Sequence, residues 1–106
     1  VAVGIGTTML LHCDFVYATA AAKFSLPFIN LGLCPEAGSS LLLPRLAGYH
    51  HAARLLMLGE PFDAAQAQRL GLVHEICASD AVEARAQAIA AQLAAKPRRA
   101  LRATKA

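Results

Sequence analysis

The most apolar stretch of this sequence, Val1 to Leu11, is interrupted by Gly4, Gly6, Thr7 and Thr8 and ends at His12. It falls well short of the ~20 consecutive apolar residues that a membrane-crossing helix needs. A run spaced by Gly and Thr suits a tight turn leading into a buried helix instead. Apolar residues elsewhere are likewise dispersed through short segments, so several small elements must pack together to bury them. There are many to bury: 57% of the 106 residues are hydrophobic and only 16% are charged. An ordinary soluble domain is ~45–50% apolar. Low hydrophobicity and high net charge, the marks of disorder, are both missing. A chain this short forms one small domain at most and leaves much of its surface in water. The excess is therefore expected to lie against a partner subunit or against further parts of the same protein. The apolar start at Val1-Ala2-Val3, with no Met, favours the second reading, a piece of a longer protein. Alone, such a piece is expected to be poorly soluble and inactive.

The formal charge of +3 is concentrated at one end. Lys96, Arg98, Arg99, Arg102 and Lys105 supply five of the ten basic residues, with no acid among them. That segment suits a solvated helix face or contact with an anion. Nucleic acid is not expected, because no aromatic residues interleave the basic ones and no binding motif is present. Cys13, Cys34 and Cys77 form no C-x-x-C pair, so neither a zinc site nor a disulfide framework is expected. They read as small buried apolar residues in a reducing compartment. His50 and His51 are sequence neighbours that point in different directions on a helix, a poor basis for a metal site.

Short elements are predicted along the chain. Phe15 to Ala18 and Lys23 to Leu26 favour strands. Pro35-Glu36 reads as the start of a helix over Ala37 to Leu43 that stops at Pro44. A second helix covers His50 to Leu58 and closes at Gly59. Asp63 and Gln66 form a capping box for a helix ending near Gly71. Leu72 to Ile76 is extended. Asp80 and Glu83 suggest another capped start, and Val82, Ala86, Ile89 and Leu93 make one apolar stripe. Pro97 breaks that helix before a basic one over Arg98 to Lys105.

Several segments, taken in order, carry a family resemblance. They are Val3-Gly4-Ile5-Gly6, Cys13-Asp14-Phe15-Val16-Tyr17-Ala18, Lys23-Phe24-Ser25-Leu26-Pro27, Leu31-Gly32-Leu33-Cys34-Pro35-Glu36-Ala37-Gly38-Ser39-Ser40, Leu43-Pro44-Arg45, Leu58-Gly59-Glu60-Pro61-Phe62 and Ala67-Gln68-Arg69-Leu70-Gly71-Leu72-Val73. Together they resemble the crotonase superfamily of enoyl-CoA hydratases and isomerases, over essentially the whole chain. The resemblance implies an α/β fold: residues 1–48 as the end of a ββα spiral core with active-site segments, and residues 49–106 as a C-terminal helical region used in oligomerisation. It implies an acyl-CoA substrate, no cofactor beyond the coenzyme A of that substrate, and a homotrimer or hexamer without a membrane span. The implied compartment is the bacterial cytoplasm, or peroxisomes or mitochondria in a eukaryote.

The family's shared chemistry is an oxyanion hole that stabilises a thioester enolate. The resemblance assigns one donor to the N–H of Ile5 and places the other upstream of this chain. It puts Val3, Gly6, Thr8, Pro27, Phe28 and Leu31 beside the substrate, with packing an equal reading for Thr8. Family hydratases activate water with two glutamates, whose matching positions here are Thr8 and Phe28, and neither can act as a base. Glu36 instead matches the single catalytic base of Δ3,Δ2-enoyl-CoA isomerases. The expected reaction is conversion of 3-enoyl-CoA to 2-enoyl-CoA in fatty acid β-oxidation, with Phe28 and nearby leucines excluding water. From spacing alone, Glu36 is also an ordinary acid of a helix first turn. Alternatives are a hydratase or another acyl-CoA enzyme of the family, and a non-catalytic acyl-CoA-binding or assembly subunit. Asp14 reads as a structural acceptor and His12 as a buried helix residue. Ser39-Ser40 lacks a His-Asp pattern for nucleophilic chemistry.

Overall fold

The computed structural model describes residues 1–106, and it is a mixed α/β arrangement of short strands and helices. Strand β1 (Ala2–Val3) runs into helix α1 (Ile5–Thr8), which tightens to a 3₁₀ turn over Met9–His12. Strands β2 (Tyr17–Thr19) and β3 (Lys23–Ser25) follow, then a 3₁₀ turn at Ile29–Leu31. Helix α2 (Ser39–Ala47) leads to α3 (Tyr49–Ala53), which widens to a π turn over Arg54–Leu58. Strand β4 (Phe62–Asp63), helix α4 (Ala64–Arg69), strand β5 (Glu75–Cys77), helix α5 (Val82–Ala94) and helix α6 (Arg98–Lys105) complete the chain. No helix is long and apolar enough to cross a membrane.

Two small sheets organise these pieces. In one, β3 lies between β1 (parallel) and β4 (antiparallel), with Ala2 opposite Phe24 and Phe24 opposite Phe62. In the other, β2 and β5 pair in parallel, Tyr17 opposite Glu75 and Thr19 opposite Cys77. The core gathers Val16, Ala18, Phe24, Leu26, Phe28 and Leu43 from the first half with Leu55, Phe62, Leu72 and Val73 from the second. The expected capping box forms: the Gln66 N–H donates to Asp63 Oδ1 at 2.8 Å, and the Asp63 N–H donates to Gln66 Oε1 at 3.0 Å. Gly59 is required by both its left-handed backbone, φ 66°, and its neighbours. A Cβ there would lie 2.9 Å from Asn30 Nδ2 and 3.1 Å from Ile29 Cγ2.

Several expectations are corrected. Helix α2 starts at Ser39, not at Pro35-Glu36, because Ala37 (φ 55°) and Gly38 (φ 70°) are both left-handed and cannot belong to a right-handed helix. It also continues through Pro44 to Ala47. A proline costs an interior helix one hydrogen bond, but Leu43 is buried in the core and Leu46 lies against Gly71, so packing carries the helix past it. Cys13 and Cys34 are exposed and Cys77 is half-buried, since none of them faces the core. His12 is exposed, as the turn ends there and its ring reaches outward to Ala37. Asp80 does not cap α5, whose N-cap is Ala81 with no side-chain bond. The α5 stripe is at most half-buried, because little of the chain packs over that helix.

Candidate active site

The Gly-rich turn is built by the junction of β1 and α1. Gly4 adopts φ 58° and ψ −117°, a conformation closed to residues with a Cβ. Its N–H donates to Ser25 O at 3.0 Å, and its carbonyl accepts from the N–H groups of Thr7 and Thr8, each at 2.9 Å. These are the first bonds of the helix, so the N–H groups of Ile5 and Gly6 precede the intrahelical ladder. Thr7 locks the turn from inside: its hydroxyl donates to Ala2 O at 2.7 Å, with Ser25 O at 3.1 Å as a second acceptor. Val3 and Ile5 keep their side chains half in solvent, and Gly6 is half-buried. Thr8 is wholly buried and its hydroxyl has no partner.

After β3 the chain turns at half-buried Pro27, buries Phe28 and exposes Leu31 on the 3₁₀ turn. The N–H of Leu33 closes that turn on Phe28 O at 2.9 Å. The following loop, Leu33 to Gly38, carries Glu36 into solvent. The Glu36 carbonyl accepts from the Ser39 N–H at 3.0 Å, which anchors its backbone to the start of α2. The loop is joined to the Gly-rich segment by one side chain: His12 Nε2 lies 2.6 Å from Ala37 O.

Ion pairing divides the acids. Of seven acidic residues, Asp14 pairs with Lys105 at 2.7 Å, Glu60 with Arg54 at 3.4 Å and Glu75 with Arg85 at 3.1 Å. Asp63 is engaged as a helix cap, while Asp80 and Glu83 lie at the start of α5. Glu36 is thus the one carboxylate of residues 1–48 without an ion-pair partner. Asp14 accepts from the Lys105 ammonium at the end of the C-terminal helix, an exposed pair. The hydrogen bond and charge of Asp14 hold the Lys105 ammonium above its ordinary pKa, and Glu75 does the same for Arg85. No three His, Cys, Asp or Glu side chains converge as metal ligands.

Sequence reasoning singled out the Gly-rich turn, the Phe28 segment and Glu36, but not the contact between His12 and Ala37. No local signal marks it, because it joins residues 25 apart. A cleft of about 220 Å³ between α3 and α4, bordered by His51, Arg54, Glu60 and Arg69, was also unforeseen.

A family model described as enoyl-CoA hydratase/isomerase matches residues 1–106. The chain is 39% identical over 97 residues to 1,2-epoxyphenylacetyl-CoA isomerase of Escherichia coli, covering 92% of this chain and 37% of that protein. It is 44% identical over 75 residues to enoyl-CoA delta isomerase 2 of Rattus norvegicus, covering 71% of this chain and 19% of that protein. Among solved structures, an enoyl-CoA hydratase/isomerase from Pseudoalteromonas atlantica superposes with a TM-score of 0.95 at 43% identity, over 98% of this chain and 42% of that one. The chain therefore spans well under half the length of the relatives it matches.

Proposed function

Because this chain belongs to the enoyl-CoA hydratase/isomerase family, we propose that its full-length protein shifts the double bond of a 3-enoyl-CoA to give the 2-enoyl-CoA. Glu36 is the base of this reaction. The observation that carries the reading is the place of Glu36: an exposed carboxylate with no cation and no cap to serve, it stands on the loop that His12 ties to the Gly-rich segment, whereas the other unpaired acids, Asp80 and Glu83, lie at the start of α5. Its carboxylate takes a proton from C2 of the acyl chain. The electron pair delocalises into the thioester carbonyl as a dienolate, and the same carboxyl returns the proton to C4, so one group suffices. The Ile5 N–H, free of the helical ladder, is one donor to the dienolate oxygen. A second donor is expected from residues outside this chain. Val3, Gly6, Pro27 and Leu31 border the path of the acyl chain. Phe28 and Thr8, buried beneath it, supply no carboxylate to activate water, which favours proton return over hydration.

The test is an assay of the full-length protein with 3-enoyl-CoA beside Glu36→Gln. Loss of a general base lowers kcat by about 10²–10⁴-fold. A variant as active as the parent would remove Glu36 from the chemistry. Accumulation of 3-hydroxyacyl-CoA from 2-enoyl-CoA would mark a hydratase instead.

A further inference from the structure

We propose that His12 is a positioning residue for Glu36, acting through the backbone of Ala37. The proposal rests on the reading of Glu36 as the base and adds the device that aims it. Ala37 is the one non-glycine residue with a positive φ, 55°. That conformation crowds its Cβ against the carbonyl oxygen, so the surroundings must hold it there, and such held outliers concentrate where geometry matters to function. Its carbonyl oxygen is the atom that His12 Nε2 approaches to 2.6 Å. A carbonyl only accepts, so Nε2 carries the proton and donates. The bond orients the peptide between Ala37 and Gly38, and with it the backbone one residue before, which bears Glu36.

The same bond sets a distance. Ile5 and His12 are the two ends of one continuous helical segment, α1 and its 3₁₀ extension. One end presents the Ile5 N–H where the thioester oxygen is bound in the proposed reaction. The other end grips the Glu36 loop. The segment therefore works as a spacer between oxyanion donor and base, and the base must reach both C2 and C4 of a substrate pinned at its carbonyl. Misplacing a reacting group by about 1 Å costs on the order of 10²-fold in rate.

The experiment compares Glu36→Gln, His12→Leu, His12→Gln and His12→Asn in the full-length protein with 3-enoyl-CoA, together with a crystal structure of His12→Leu. Gln places its amide N–H near the position of Nε2, whereas Asn falls short. With Glu36→Gln inactive, His12→Leu and His12→Asn should lose kcat by roughly 10- to 100-fold with KM little changed. His12→Gln should recover most of that loss, although all three His12 variants melt alike. Ala37 should leave the left-handed region in His12→Leu. If Glu36→Gln is inactive but His12→Leu keeps the parent kcat, or His12→Gln is as impaired as His12→Leu, the positioning role is overturned and the base stands. If Glu36→Gln is fully active, the base assignment fails and the role of His12 falls with it.

Discussion

Phe24 on β3 and Phe62 on β4 face each other across an antiparallel pair, their rings stacked with centroids 5.5 Å apart and planes 21° from parallel. The pair joins the strand that feeds Pro27 and Phe28 to the second half of the chain. Both side chains are buried, so truncating one leaves a void and removes the stacking. Phe62→Ala is expected to destabilise the full-length protein by about 3–5 kcal/mol. Denaturant melts with an unchanged m-value would check this, and a loss below 1 kcal/mol, roughly the size of the stacking term alone, would show the pair to be peripheral.

Gly59 and Gly32 share nearly the same left-handed backbone, φ 66° and 67°, but differ in their surroundings. A Cβ at Gly32 meets nothing within 4 Å, while at Gly59 it meets Asn30 and Ile29. Asn30 can swing its amide aside, whereas Ile29, branched at Cβ, is stiffer about χ1 and must shift to make room. Gly32→Ala should therefore cost only the conformational penalty, about 1–2 kcal/mol, and Gly59→Ala clearly more. Equal losses in thermal melts would mean that the turn at Ile29 yields freely.

Thr8 buries a hydroxyl with no hydrogen-bond partner. A buried orphan of this kind costs about 1–3 kcal/mol, and Val has nearly the same shape. Thr8→Val is expected to raise stability by about 1 kcal/mol. A drop on equilibrium unfolding would reveal a partner to that hydroxyl.

Lys105 reaches Asp14 across 91 residues of sequence. Its folded pKa lies above the ordinary lysine value of 10.5, so the linkage has a defined sign. The contribution is full below the unfolded lysine pKa and is lost as pH rises through the folded value. Both side chains are more than half exposed, so salt screens the pair. Lys105→Met should loosen the Arg98–Lys105 helix in low salt, read as faster amide exchange at Thr104 and Ala106, and the difference from the parent should vanish at high salt. In the parent, helical ellipticity should fall toward that of the variant only above the lysine range. Equal exchange at low salt would show the ion pair to be incidental.

Features written in adjacent residues were legible in advance. Asp63 and Gln66 satisfy each other's backbone within one turn, Gly59 ends its helix, and Pro97 separates α5 from α6. What escaped depends on distant neighbours. No rule of local sequence puts an alanine at positive φ, and Ala37 is held there from His12. Pro44 reads as a stop, yet Leu43 before it is buried in the core and the largely exposed Leu46 beyond it lies beside Gly71. Val82, Ile89 and Leu93 show that α5 has an apolar face, but that pattern carries no information on what lies over it. At the site, the residue types and their order were readable, including Glu36 and the Gly-rich turn. The tie between them was not, because it is a single bond across 25 residues.

Strands β2 and β5 pair in parallel although the residues beside them, Val16 and His74, are 58 apart in sequence and joined by the His74 N–H on Val16 O at 2.8 Å. During synthesis, Tyr17 to Thr19 emerges from the ribosome long before Glu75 to Cys77 exists to pair with it. Closing so long a loop is entropically slow and rewards nothing until it is done. In that interval the apolar side chains of Val16 and Ala18, buried in the finished fold, have nothing to cover them.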